Sequence, residues 1–402
     1  MPIYAYEALN QEGLLIRGVI DAETKPLAVQ FLSSQALSVQ RIKRQNSLQI
    51  FWSKLKGVST AQLAIFTREL ATLLNAGLPI IRALEILTKS AEKSRLTDVM
   101  LLVREHVRAG DSLHRAFSRY PEVFNPVYLS LIQSGEISGD LQNVLATLSN
   151  FLDREHALRK KVKAAMTYPF VVLIFCVVLA LGLTIYILPK FVEMFEGLQV
   201  RMPLPTLVLI FVVNCVRNPY YLMVTVTVLS FSAYTISRYL ATPIGRRQFD
   251  RLLLTMPLFG AINRKIAVSR FCRTFATLFA SGIPILHSLE VLYQVSGNVI
   301  INESVEQVHE AVKYGSSISA PLEESGLFPL MVTSMVQIGE QSGNLQMMLV
   351  KVADFYEMEI SLQFDSLAKL IEPLMIGVMG IVVGFVLLAI FLPIYQLISN
   401  FK

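Results

Sequence analysis

Two kinds of apolar spacing divide the chain. From Ser59 onward apolar residues recur every three or four positions, as in Leu63, Phe66, Leu70, Leu73 and Leu74, which places them on one stripe of an amphipathic helix. Elsewhere they run together: Phe170 to Leu188 and Leu374 to Leu392 are each 19 residues without a charge, long enough to cross a hydrocarbon core of about 30 Å. A third apolar stretch, Leu204 to Ile236, is interrupted by Asn214, Arg217, Asn218 and Pro219. A charge near the bilayer centre costs roughly 2.5 to 3.5 kcal/mol, so the crossing is predicted at Tyr220 to Ser237. Leu204 to Val216 is then a short interfacial or extracytoplasmic helix.

The first 43 residues follow a different rhythm. Tyr4, Tyr6 and Ala8 alternate, Asn10 to Gly13 reads as a turn, and Leu14, Ile16 and Gly18 continue a second strand. Pro26 opens a short helix through Phe31, and Leu37 to Ile42 returns as a strand. The linker that follows sets Phe51, Trp52 and Leu55 beside Lys54 and Lys56; these aromatics either touch the membrane surface or pack on the next domain.

In the helical region Gly77 supplies a left-handed stop and Pro79 suits the first turn of the next helix, which carries Ile80, Ala83, Leu84 and Leu87. Further helices are expected over Leu96 to Ala109, Ser112 to Arg119 and Val127 to Gln133. The hairpin then recurs. Phe66 to Ile80 returns as Phe271 to Ile285, with Gly282 and Pro284 in place of Gly77 and Pro79. Gly135-Glu136-Ile137-Ser138-Gly139 returns as Gly339-Glu340-Gln341-Ser342-Gly343, and each copy runs through a long helix into an uncharged stretch closed by Leu-Pro, at Leu188-Pro189 and Leu392-Pro393. The repeated unit thus joins a helical domain, a continuing helix and a membrane segment. The glycines Gly135, Gly139, Gly339 and Gly343, with Ser138 or Ser342, are read as tight turns between helices, the side chains capping the helix that begins near Asp140 or Asn344.

Composition agrees with a polytopic membrane protein: 53% of the 402 residues are hydrophobic and 16% are charged. Two homologous domains in one compartment need an even number of crossings between them, which two spans satisfy. Of the 36 Lys and Arg residues, 21 lie in 1–169, 11 in 238–372, three in 189–219 and one after Pro373. The positive-inside rule therefore puts both large segments in the cytoplasm and the C-terminus in the periplasm. The net charge of +6 follows this topogenic asymmetry and is not read as a nucleic-acid patch. Cys176, Cys215 and Cys272 have no CxxC spacing, and no cleaved signal peptide is expected at the N-terminus.

Enzymatic chemistry finds no foothold. No Gly-Lys pair, GxGxxG or HExxH occurs, and His106, His114, His156, His287 and His309 lack ligand spacing. Neither Gly-Glu-x-Ser-Gly motif has a base at a fixed offset. No catalytic residue, metal or cofactor is predicted. A transporter is the alternative from another class, but carriers place ionisable groups near mid-membrane, and the two uncharged spans offer none. Glu372, at the cytoplasmic edge of the last span, is the exception: it is a solvated helix-end carboxylate or a contact for a partner's membrane segment.

These residues resemble the inner-membrane platform proteins of bacterial type II secretion and type IV pilus assembly, the type II secretion system protein F family. The resemblance rests on Tyr6-Glu7-Ala8-Leu9-Asn10 with Gly13, the paired Gly-x-Pro hairpins, both Gly-Glu-x-Ser-Gly motifs, Leu188 to Phe195, Leu204-Pro205-Thr206, Met256 to Gly260, and Glu372-Pro373 followed by Leu392-Pro393-Ile394. It implies a mainly α protein with two cytoplasmic six-helix bundles, three spans and a small N-terminal α/β module. The corresponding divisions are 1–57, 58–168, 169–189, 190–219, 220–237, 238–372, 373–394 and 395–402.

The implied partners are a cytoplasmic assembly ATPase, other inner-membrane platform proteins, pilin-like subunits, further copies of the chain and the lipid bilayer. Some secretion members bind calcium through a glutamate matching Glu92 and two acidic residues. Those two are Ala146 and Asn150 here, and no such site is expected. Arg251 to Leu254 and the opening strand look like secretion members, and Asp354 to Glu357 like pilus members; the expectation is secretion, with pilus assembly as the alternative. The copies also differ in charge: Arg82, Arg104, Arg108, Arg115 and Arg119 in the first face Glu303, Glu306, Glu310, Glu323 and Glu324 in the second. That difference suggests separate neighbours, or each other across an oligomer, unless both are simply solvated faces.

Overall fold

A computed structural model describes residues 3–9, 15–21, 24–34, 38–44, 58–92, 94–186, 203–256 and 259–400. The expected turn at 10–13, the linker aromatics at 51–55 and the motif at 188–195 lie outside the described residues.

The chain begins with β1 (Ile3–Leu9), β2 (Leu15–Asp21), α1 (Lys25–Ser34) and β3 (Ser38–Arg44). The strands form an antiparallel sheet in the order β2-β1-β3, with Tyr6 opposite both Gly18 and Ile42. Because side chains alternate along a strand, Tyr4, Tyr6 and Ala8 share one face and are buried there. Val39 and Ile42 pack against Tyr6 and Ala8.

The first repeat contains α2 (Thr60–Asn75), α3 (Ile80–Ser90), α4 (Arg95–Arg108), α5 (Leu113–Ser118), α6 (Pro126–Ser138) and α7 (Leu141–Tyr186). Polar caps set most of the starts. Ser59 and Gln62 form a capping box on α2, and Ser94, Ser112 and Asn125 accept backbone N–H groups at the starts of α4, α5 and α6. Gln62 thereby satisfies the Ser59 N–H while Ser59 satisfies the helix. The core of this repeat is an aromatic trio. Phe117 lies 4.3 Å from Phe124 and 5.4 Å, edge-on, from Tyr128, with Phe124 and Tyr128 4.9 Å apart. The Tyr128 hydroxyl is 3.3 Å from Thr67 Oγ1, and complete burial holds its pKa well above the ordinary tyrosine value despite that hydrogen bond.

Between the repeats run α8 (Leu204–Arg217), α9 (Pro219–Leu240) and α10 (Pro243–Thr255). The predicted interruption is a helix boundary: Asn218 accepts from the Tyr220 N–H and Pro219 occupies the first turn of α9. The second repeat follows as α11 (Phe259–Ala280), α12 (Ile285–Val295), α13 (Val299–Lys313), α14 (Ser319–Glu324), α15 (Leu330–Ser342) and α16 (Leu345–Asn400). Phe271, Phe275 and Phe328 supply its aromatic contacts.

Three helices, α7, α9 and α16, are long and apolar enough to cross a membrane. Their apolar side chains point outward: Phe170, Phe175, Phe231, Leu229, Ile376 and Ile381 are all more than half exposed. Exposed apolar surface on this scale needs a non-aqueous neighbour. The chain divides into two compact units, Met1–Leu158 with Ala267–Phe355, and Arg159–Ile266 with Tyr356–Lys402. The first contains the sheet and most of both repeats; the second contains the apolar helices.

Candidate functional site

The two Gly-Glu-x-Ser-Gly motifs occupy matching positions and do more than turn the chain. Gly139 and Gly343 are left-handed, with φ of 74° and 71°, and end α6 and α15. Gly135 and Gly339, expected in the turn, are instead helical, and α6 runs five residues past its expected end at Gln133. They let the next helix approach. A Cβ on Gly135 would lie 3.2 Å from Leu141 Cα, and one on Gly339 would lie 2.8 Å from Leu345 Cα. Gly77 and Gly282 are left-handed at φ 80° and 75°, while Pro79 and Pro284 sit one position earlier than expected, at the N-cap rather than inside the first turn.

Sequence reasoning missed the glutamates. Glu136 accepts hydrogen bonds from the backbone N–H groups of Leu113 and His114 at 2.5 and 3.0 Å. Glu340 does the same for Ile318 and Ser319 at 2.5 and 3.2 Å, and also accepts from the Ser319 hydroxyl. Each carboxylate therefore caps the N-terminus of the short helix before it, α5 or α14, where unpaired N–H groups and the helix dipole favour negative charge. The signal was the presence of a glutamate in both copies. The capped residues lie 21 to 23 positions upstream, beyond any local capping pattern.

Ion pairs tie the long helices to their neighbours. In the first repeat Arg68 pairs with Asp153. Its counterpart in the second repeat, Arg273, pairs with Asp354 at 2.5 Å, and Arg154 on α7 reaches the same carboxylate at 2.9 Å. Burial raises the Asp354 pKa, but the hydrogen bonds and charges of Arg273 and Arg154 outweigh it and leave the carboxyl below its ordinary value. Arg270 lies 3.9 Å from Glu155. Ser134 on α6 donates to the Ser281 carbonyl at the end of α11, at 2.7 Å. One side-chain network thus spans the two repeats within the first compact unit.

The second unit continues the pairing of the same helices. Lys161 donates to Ser361 at 3.2 Å, and Lys265 pairs with Glu359 at 2.5 Å. Farther along, Thr206 donates its hydroxyl to the Ala389 carbonyl at 2.6 Å in a buried contact. In a helix that carbonyl would accept from residue 393, which is Pro393 and has no N–H. Glu372 falls within α16 immediately before Pro373; its side chain lies outside the described residues.

The arrangement is a set of caps, ion pairs and packed helices around two continuous helices, and its chemistry is positional. A family model for type II secretion system protein F matches residues 66–189 and again 271–393, and the model for the N-terminal domain of the same protein matches 1–43. The chain belongs to the type II secretion system protein F family. The two matches coincide with the two repeats, each reaching to the Leu-Pro that closes its apolar run. Among the family's relatives, a type IV pilus assembly protein of Thermus thermophilus is 38% identical over 100% of this chain and 99% of its own length. Type II secretion system protein F of Xanthomonas campestris is 31% identical over 99% of both chains. The corresponding protein of Vibrio cholerae is 30% identical over 99% of this chain and 98% of its own. Both machines are thus represented among the relatives of this platform family, and the apolar helices fit a membrane location.

Proposed function

We propose that this chain is the inner-membrane platform of a filament-assembly machine. In this reading it is not an enzyme; it passes the work of a cytoplasmic assembly ATPase to pilin-like subunits in the bilayer. The observation that carries the reading is the continuity of α7 and α16, each of which leaves its repeat and runs without a break into an apolar stretch. A helix of that kind transmits displacement, whereas a flexible linker would absorb it. Both repeats, read as six-helix bundles, face the cytoplasm, the chain crosses at 169–189, 220–237 and 373–394, and the C-terminus is periplasmic. The platform works as a homo-oligomer among other inner-membrane components of the machine, with Glu372 placed to meet a partner's membrane segment.

The opening Tyr-x-Ala-Leu-Asn pattern supports type II secretion. The 38% identity to one pilus assembly protein over the whole chain supports pilus assembly as a second reading, while other pilus relatives at 29 to 31% match this chain no better than secretion relatives at 30 and 31%. The test is an insertion. A flexible Gly-Ser segment between Asp153 and Tyr168 is expected to abolish filament assembly in a complementation assay while leaving ATPase co-purification intact. Normal assembly by that variant would refute the mechanical reading.

A further inference from the structure

The two repeats use one equivalent face differently. In the first repeat, β2 packs against α4, and Tyr6 of the same sheet lies close enough to Glu105, Arg104 and Arg108 to feel their charges. Leu101 and Leu102 of α4 are partly covered, and the Arg104 side chain is 14% exposed. The repeat offset of 205 residues places Glu306 and Gln307 where the first copy has Leu101 and Leu102, and His309 and Glu310 where it has Arg104 and Glu105. Glu306 and Gln307 are exposed. The second repeat therefore presents, between α12 and α13, a groove of 290 Å³ lined by Leu289, Val305, Tyr293, Glu290, Glu306, Glu310 and His309; His309 lies 3.7 Å from Glu290 and 3.6 Å from Glu310, Lys313 lies 3.7 Å from Glu310, and the exposed Glu306 adds a further carboxylate, so the lining is acidic on balance.

Glu306 and Gln307, at the positions of the two leucines, make this face unsuited to an apolar occupant, because burying an unpaired carboxylate is costly. It favours a cationic occupant. The chain supplies one. β3 is an edge strand carrying Arg41, Lys43 and Arg44, and no carboxylate occurs between Glu23 and Glu69. Arg41 is exposed, and the strand register sets it opposite Glu7, which is in turn opposite Arg17.

We infer that the acidic α12–α13 groove receives the basic β3 edge of a second copy of this chain. The contact joins different surfaces of the two copies, so it is heterologous and builds a ring or a row rather than a two-fold dimer. The inference deepens the oligomeric part of the proposed function and rests on it.

Full-length protein in detergent provides the test, with two differently tagged copies co-expressed, one carrying Gln40→Cys and the other Gln307→Cys. A disulfide between the tags is expected from this pair and not from either variant alone. Separately, Glu306→Arg with Glu310→Arg, and Arg41→Glu with Lys43→Glu, should each dissolve the oligomer in native mass spectrometry while the far-UV circular dichroism spectrum stays that of the wild type. Combining the two reversals should restore it. An oligomer that persists through both reversals and gives no cross-link overturns the inference while leaving the platform reading standing. A wild-type protein that is monomeric overturns both the inference and the oligomeric part of that reading. If the β3 reversal instead costs binding to anionic phospholipid vesicles with the oligomer unchanged, the strand serves the bilayer and the inference is wrong.

Discussion

Thr206 supplies to Ala389 the hydrogen bond that Pro393 withholds. The hydroxyl stands 2.6 Å from the carbonyl in a buried contact, and an unsatisfied carbonyl in hydrocarbon would cost several kcal/mol. The interhelical bond fixes α8 against α16 near the end of the last apolar run. Thr206→Val keeps the shape and removes the donor, leaving the buried Ala389 carbonyl unsatisfied, and it is expected to lower the stability of the detergent-solubilised protein by about 1 to 3 kcal/mol. Thr206→Ser should retain most of it. Thermal unfolding of the two variants checks the difference.

The caps from Glu136 and Glu340 predict a matched pair of losses. Glu340→Ala leaves the N–H groups of Ile318 and Ser319 without their carboxylate, and Glu136→Ala does the same to Leu113 and His114. Each substitution should cost about 1 to 3 kcal/mol. Hydrogen exchange should show the loss first in α14 or α5, the repeat that keeps its glutamate remaining protected.

Gly339 and Gly343 differ in why they are glycine, and alanine separates the reasons. At Gly343 the cost is the left-handed backbone, about 1 kcal/mol. At Gly339 the new methyl meets the Leu345 backbone at 2.8 Å, forcing α15 and α16 apart at about 1 to 3 kcal/mol. Chemical denaturation of the full chain should rank Gly339→Ala below Gly343→Ala.

Asp354 makes the inter-repeat network sensitive to acid. A carboxyl with a depressed native pKa contributes stability that is fully present above its unfolded value of about 3.9 and is lost as pH falls through the lower native value. Wild-type protein should therefore lose stability over that acidic window more steeply than Asp354→Asn. At neutral pH the variant should be the less stable of the two, since the ion pairs from Arg273 and Arg154 to the Asp354 carboxylate are then lost. Melting temperature as a function of pH provides the comparison.

Cys272 should be inert. It is fully buried, and burial pushes its thiol up to about 12, against a smaller opposing effect of Arg273. Alkylation by iodoacetamide at pH 8 should leave it unmodified in the folded chain and label it after denaturation, as read by mass spectrometry of the peptide.

Much of this was legible because it is local. The period of apolar residues announces the helices, Ser112 caps its helix where sequence rules place it, and the Asn218-Pro219 break marks a helix start. What escaped depends on residues distant in the chain. Gly135 and Gly339 resemble turn residues until the approach of Leu141 and Leu345 is known, and the targets of Glu136 lie more than 20 residues away. Asp354 gathers Arg154 from 200 positions upstream, a pairing that no sequence window contains. The charge contrast between the copies was visible, but the sheet that covers one of the two equivalent faces was not.

The contacts between α7 and α16 carry one more consequence. Gly135 and Gly339, like Pro189 and Pro393, are 204 residues apart, whereas Arg154 meets Asp354 and Lys161 meets Ser361 at a separation of 200. Corresponding residues of the two copies therefore do not meet. Each contact runs from a long cationic side chain of α7 to a residue one turn, about 6 Å, before its own counterpart on α16. At the offset of 204, position 354 corresponds to Asn150 and position 361 to Ala157, so two copies of the first repeat could form neither contact. Fusing the copies into one polypeptide lets the two sides of each pair be set independently.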